Sequence, residues 1–85
     1  MQSVANDVFR ALADPTRRSI FEELTQQGEQ TVHALTRFAR VSQPAVSKHL
    51  TVLKRAKLVR HRREGRWCFI RDGVRRKRGW GGREE

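Results

Sequence analysis

The stretch "SQPAVSKHL", residues 42–50, opens on a hydroxyl, places a proline two residues later and then settles into apolar spacing. Ser42 has the chemistry of a helix N-cap, with a side-chain oxygen that can accept the N–H of Ala45. Pro44 falls at the second helical position, where its missing N–H costs little and its ring stiffens the first turn. On a helical wheel of about 100° per residue, Val46, Leu50 and Leu53 gather on one side. Pro44, Ser47, Lys48, Thr51 and Arg55 gather on the other. That outward face is made of short hydrogen-bonding groups and cations, with no bulk to keep it out of a groove. Gln43, in the first turn, carries an amide suited to a bidentate contact with adenine. The helix N-terminus adds outward N–H groups and the positive end of the helix dipole, which favour phosphate.

The surrounding chain supports this reading. The protein has 85 residues, 36% hydrophobic and 33% charged, with a formal net charge of +10. One small domain with a modest core is the natural outcome at this length. The charge is uneven: residues 1–36 carry a net of −2, and residues 37–85 a net of +12. A strongly basic half favours a polyanionic partner, and the excess begins beside the quoted helix. The single cysteine, Cys68, allows no internal disulfide and agrees with a cytoplasmic setting. No apolar run approaches the roughly 20 residues of a membrane span, and the N-terminus lacks the regions of a signal peptide. No membrane association is expected.

Working outward, Val4, Val8 and Leu12, with Phe9 beside them, predict a first helix over Ser3 to Leu12. Asp14 caps a second helix from Pro15 to Gln27, with Ile20, Phe21 and Leu24 as its buried stripe and Gly28 as its stop. Thr31 caps a third helix bearing Val32, Leu35 and Ala39 on one face. The pattern pauses at "RVS" before Ser42 opens the fourth helix, which fades near Lys57. Two short helices across a tight turn give a helix-turn-helix outline. After Lys57 the period changes to two, and "LVRHRREGRWCFIR" (residues 58–71) reads as a β-hairpin turning at Glu64-Gly65. A two-residue loop there pairs Arg63 with Arg66, Arg62 with Trp67, His61 with Cys68, Arg60 with Phe69 and Val59 with Ile70. Val59, His61, Cys68 and Ile70 then share one face, and Arg60, Arg62, Trp67 and Phe69 the other. Arg60, Arg62, Arg63 and Arg66 flank the tip, as phosphate tracking requires. Arg62 facing Trp67, and Arg60 facing Phe69, suggest cation–π pairs. The remaining "DGVRRKRGWGGREE" (residues 72–85) has four glycines and five basic residues, and reads as a disordered or loosely attached tail.

The segments "FRALADPTRRSIFEEL", "VSQPAVSKHLTVLKRAKLV" and "RREGRWCF" resemble ArsR/SmtB-type winged-helix repressors, over roughly Val8 to Ile70. "LADPTRR" and "SQPAVSKHL…LVRHRREGR" carry the likeness most specifically. The resemblance implies an α+β winged helix-turn-helix fold of about four helices and one β-hairpin wing, spanning residues 1–71. It implies a dimeric bacterial repressor whose recognition helix lies in the major groove. Ser42, Gln43, Pro44, Ser47, Lys48 and His49 fall on the family's DNA-reading segment, and Thr51 joins them on the outward face. Arg62, Arg63 and Arg66 fall on its wing. Double-stranded DNA, as a palindromic operator, is the expected partner, and a homodimer the expected state.

Four departures shape these expectations. The stretch "TVHALTRFA" (residues 31–39) lacks the cysteine pair with which many members sense metals or metalloids. The last helix, which supplies zinc ligands in others, gives way to the glycine-rich tail. That helix also joins the first in the family's dimer interface, so pairing is left to Val4, Val8, Phe9 and Leu12. Arg40 and Lys57 stand where the family favours glycine, which is costly by about 1 kcal/mol if φ is positive there.

No metal, cofactor or catalytic set is expected. His33 reads as exposed, and His49 lies on the flank of the fourth helix, where it serves a structural hydrogen bond or DNA. His61 and Cys68 make two ligands where a structural zinc site takes four. Cys68 alone has no thiolate stabiliser beyond nearby arginines. Glu22 and Glu23 are adjacent on a helix and point apart, so the chain does not read as an enzyme. Two alternatives to a sequence-reading repressor stay open. One is a nonspecific nucleic-acid binder driven by the basic half. The other is a protein-interaction module built on the first helix and Trp80.

Overall fold

The computed structural model describes residues 4–74, with side chains from Asn6 onward. In chain order its elements are α1 (Val4–Ala13), α2 (Pro15–Gln27), β1 (Gln30–Thr31), α3 (Val32–Ala39), α4 (Gln43–Arg55), β2 (Val59–Glu64) and β3 (Trp67–Asp72). This is the expected α+β winged helix, with one addition. The sheet has three antiparallel strands in the order β1-β3-β2, not a hairpin alone. β1 is only two residues long, too short for any periodicity to announce it. It exists because β3 offers a free edge, on which Gln30 pairs with Ile70 and Thr31 with Phe69.

Local chemistry sets the helix ends. Asp14 sits in the β region and accepts the Arg17 N–H at 2.9 Å, with Pro15 opening α2 behind it. Thr31 and Ser42 cap α3 and α4 in the same way, through the N–H groups of Ala34 and Ala45. Arg17 closes the end of α1: its Nε donates to the Ala11 carbonyl at 2.8 Å and its Nη2 to that of Arg10 at 3.2 Å. The "DPTRR" run is thus a two-sided joint, capping the start of α2 and satisfying the end of α1. Arg40 and Lys57, the suspect turn positions, have φ of +59° and +63°. At Lys57 the turn is a Schellman motif, in which Leu58 N–H reaches the Leu53 carbonyl and Lys57 N–H that of Lys54.

The core gathers Ile20 and Leu24 from α2, Leu35 from α3, Val46, Leu50 and Leu53 from α4, and Leu58, Val59 and Ile70 from the approach to the sheet and the sheet itself. Ala11 of α1 and Ala56 after α4 complete it, and Val8, Leu12, Phe21 and Val32 pack at its edge. Burying side chains of this size contributes about 1.5–3 kcal/mol each, which is what holds so small a domain. Because α4 places Val46, Leu50 and Leu53 inward, its opposite face is fixed outward.

The wing register differs from the sequence expectation by two residues. Glu64 pairs with Trp67, Arg63 with Cys68, Arg62 with Phe69, His61 with Ile70, Arg60 with Arg71 and Val59 with Asp72. The loop is Gly65-Arg66, not Glu64-Gly65. Gly65 has φ +63° while Arg66 does not enter positive φ, the sign pattern of a type II′ turn with glycine first. The expectation had put glycine second, as in an Asn-Gly turn. A shift of two leaves each side chain on the face assigned to it, but it changes every partner. His61 and Cys68 therefore do not face each other, Arg60 faces Arg71, and Arg62 faces Phe69 instead of Trp67. α1 and α4 each differ from the expected bounds by one or two residues. β3 continues to Asp72, and Gly73 N–H still reaches the Leu58 carbonyl at 2.9 Å. From residue 75 the segment read as a tail, Trp80 included, lies outside the described residues.

Candidate nucleic-acid interface

α4 presents the face that the wheel assigned outward. Ser42, Gln43, Pro44, Ser47, Lys48, Thr51 and Arg55 are all exposed, and His49 is half-buried on the flank. Ser42 uses its oxygen to accept the Ala45 N–H at 3.3 Å, so its hydroxyl hydrogen stays available to an acceptor. Thr51 turns its hydroxyl hydrogen back on the Ser47 carbonyl at 3.0 Å and keeps acceptor capacity outward. Lys48 and Arg55 form no ion pair with any described residue. His49 stands near the α2 N-cap. The Asp14 carboxyl is held below its ordinary 3.8, first by the Arg17 N–H and then by the charges of His49 and Arg17. At the far end of α4, Lys54 Nζ lies 3.4 Å from His61 Nδ1 and links the helix to β2.

On the wing, Arg63 and Arg66 are exposed and likewise form no ion pair with a described residue. Trp67 beside them is 53% exposed. Arg62 is placed differently. Its Nε and Nη2 donate to the two oxygens of Glu29, each at 2.9 Å, and its Nη1 donates to Glu64. Its guanidinium carbon lies 4.4 Å from the centre of the Phe69 ring. Three of five N–H donors are thereby committed within the protein. The Arg62 hydrogen bonds, followed by its charge and that of Arg71, hold the Glu29 carboxyl below its ordinary 4.5. Glu29 was not singled out from sequence. It lies 33 residues from Arg62, and no local pattern joins them.

Of the residues expected at a dimer contact, Val8 and Leu12 pack at the edge of their own core, while Phe9 is 74% exposed. The side chain of Val4 lies outside the described ones. Among the described residues, no three His, Cys, Asp or Glu side chains gather as metal ligands, and no helix is long and apolar enough to cross a membrane.

A helix-turn-helix domain family matches residues 12–62. The transcriptional repressor SdpR of Bacillus subtilis is 36% identical over 64 residues, covering 75% of this chain and 70% of that protein. Among solved structures, HlyU from Vibrio cholerae superposes with a TM-score of 0.77 at 31% identity, covering 84% of this chain and 76% of that one. The homodimeric winged helix-turn-helix DNA-binding domain of Mb0332 from Mycobacterium bovis, a possible ArsR-family transcriptional regulator, gives a TM-score of 0.77 at 33% identity. It covers 82% of this chain and 64% of that one.

Proposed function

The chain belongs to the ArsR/SmtB-type family of helix-turn-helix transcriptional regulators, and on that premise we propose that it is a cytoplasmic bacterial repressor that occludes a palindromic operator as a homodimer. α4 enters the major groove. Gln43, Ser47 and Lys48 read base edges, with Thr51 and His49 at the margins of the contact. Ser42 and Pro44 bring the N-terminus of α4 against a phosphate. Arg63 and Arg66 hold phosphates beside the wing, with Arg62 behind them. Phe9 leads the contact between copies, with Val4, Val8 and Leu12 beside it.

The observation that carries this reading is the two-sidedness of α4. Val46, Leu50 and Leu53 are buried, and every residue of the opposite face is exposed, short or cationic, and free of ion pairs with described residues. Selection of bound sites from a random duplex library, at physiological salt, tests it. The expected product is a palindrome with half-sites about one helical turn, 10–10.5 base pairs, apart. A single half-site would leave a monomeric reader. No enrichment at all would favour nonspecific binding.

On the selected duplex, Gln43→Ala should relax preference at one position, at a loss of about 1–3 kcal/mol. Arg63→Ala should weaken every sequence alike and flatten the salt slope by about one unit. Equal losses on all sequences in both variants would remove Gln43 from base reading.

A further inference from the structure

Glu29 follows the Gly28 stop of α2 and precedes β1. The register sets Thr31, Phe69 and Arg62 in one row across the three strands, on the outer face of the sheet. Arg62 starts from β2, passes its guanidinium over the Phe69 ring on the central strand, and grips Glu29 beyond it with two parallel N–H···O bonds. Its third nitrogen holds Glu64 at the mouth of the turn. The wing is thereby tied along its length to the segment leaving α2. Backbone pairing alone ties β1 to the wing through just Gln30 and Thr31.

The charges argue against a simple phosphate role for Arg62. One guanidinium stands between two carboxylates, so the cluster is not a net cation. Arg60, Arg63, Arg66 and Arg71 remain on the wing without an ion pair to a described residue, and of these Arg63 and Arg66 are the two at the turn. An exposed ion pair contributes little to global stability. A bidentate pair over an aromatic ring does fix direction, and a contact fixed before binding need not be ordered during it.

We propose that Glu29 is a positioning residue for DNA binding: through Arg62, laid over Phe69, it sets the direction in which Arg63 and Arg66 meet the phosphates. The inference rests on the DNA-binding reading above and inverts its simplest electrostatic corollary. Removing an acidic residue ordinarily strengthens DNA binding; removing Glu29 weakens it.

The test measures affinity for the selected duplex against potassium chloride concentration, for the unsubstituted chain, Glu29→Gln, Arg62→Gln and the double variant. Thermal midpoints and ¹⁵N relaxation of the Gly65 and Arg66 amides are measured alongside. Glu29→Gln should weaken binding about five-fold, the scale of one exposed ion pair, with the salt slope unchanged. Its thermal midpoint should stay within about 4 °C, while the wing amides become more mobile. Arg62→Gln should do the same without flattening the slope, and the double variant should lose no more than Arg62→Gln alone. Tighter or unchanged binding by Glu29→Gln overturns the proposal. So does a flattened slope in Arg62→Gln with effects that simply add, because Arg62 would then be a phosphate contact that Glu29 competes for. Absence of duplex binding by the unsubstituted chain removes the DNA-binding reading and this inference together. The other overturning outcomes remove this inference alone.

Discussion

α2 and α4 are built by the same rules and used differently. Each is 13 residues long, follows a capping residue in the β region, carries a proline in its first turn and buries an aliphatic stripe. At α2 the cap is a carboxylate, and the turn faces inward to α1 through the hydrogen bonds of Arg17. At α4 the cap is a neutral hydroxyl, and Ser42, Gln43 and Pro44 are all exposed. Both caps satisfy an otherwise unpaired N–H. Only the carboxylate also neutralises the positive end of the helix. A helix that must keep that end attractive to an anion is better capped by serine.

The sharpest way to break this comparison is to give α4 the cap of α2. Ser42→Asp should leave the helix capped and the fold as stable as before, since Asp and Ser are about equal N-caps. Affinity for the selected duplex should fall at least about ten-fold, because a carboxylate would face phosphate across the contact. Unfolding curves and duplex titrations on the same preparation separate the two effects. Undiminished affinity would mean that the α4 N-terminus does not approach the backbone of DNA.

The reverse lesion tests α2. Asp14→Ala should destabilise the fold by about 1 kcal/mol near neutral pH, with a smaller effect on duplex binding by the folded fraction. The pH dependence has a definite sign. The folded Asp14 carboxyl titrates below its ordinary 3.8, so its contribution is complete above that value and is lost as the pH falls through the lower folded value. The stability gap between the unsubstituted chain and Asp14→Ala, followed by urea unfolding, should therefore narrow on acidification. A gap that stayed constant to pH 2 would show that the carboxylate charge plays no part in the cap.

These contrasts also mark what a sequence can disclose. The three caps, the inward stripe of α4 and its outward face were legible because each depends on residues within one or two turns of one another. The wing register was not, because Glu64-Gly65-Arg66 admits two two-residue loops and the choice depends on whether glycine enters positive φ first or second. β1 escaped notice because Gln30 and Thr31 are a strand only by virtue of β3 beside them. The clamp from Arg62 to Glu29 escaped because it joins two edges of a sheet whose third strand was unforeseen. Within the candidate site, the residues of α4 lay where the wheel put them, whereas the partner of Arg62 required the fold.

The helix ends extend the comparison by the smallest of the expected effects. α2 stops at Gly28, whose φ of +88° suits glycine, whereas α3 and α4 stop at Arg40 and Lys57 in the left-handed region. A side chain in that region costs about 1–2 kcal/mol, and glycine gives part of that back through its larger unfolded-state entropy. Arg40→Gly and Lys57→Gly should therefore each stabilise the fold by about 0.5 kcal/mol. Both cations are exposed and lie in the basic half of the chain, Arg40 in the turn between α3 and α4 and Lys57 just past the end of α4. If the strain is retained because the charge serves DNA, the same variants should bind the selected duplex more weakly and with a flatter salt slope. Stabilisation with unchanged affinity would sever that link, and would leave the ends of α3 and α4 differing from the end of α2 for no reason connected with the nucleic acid.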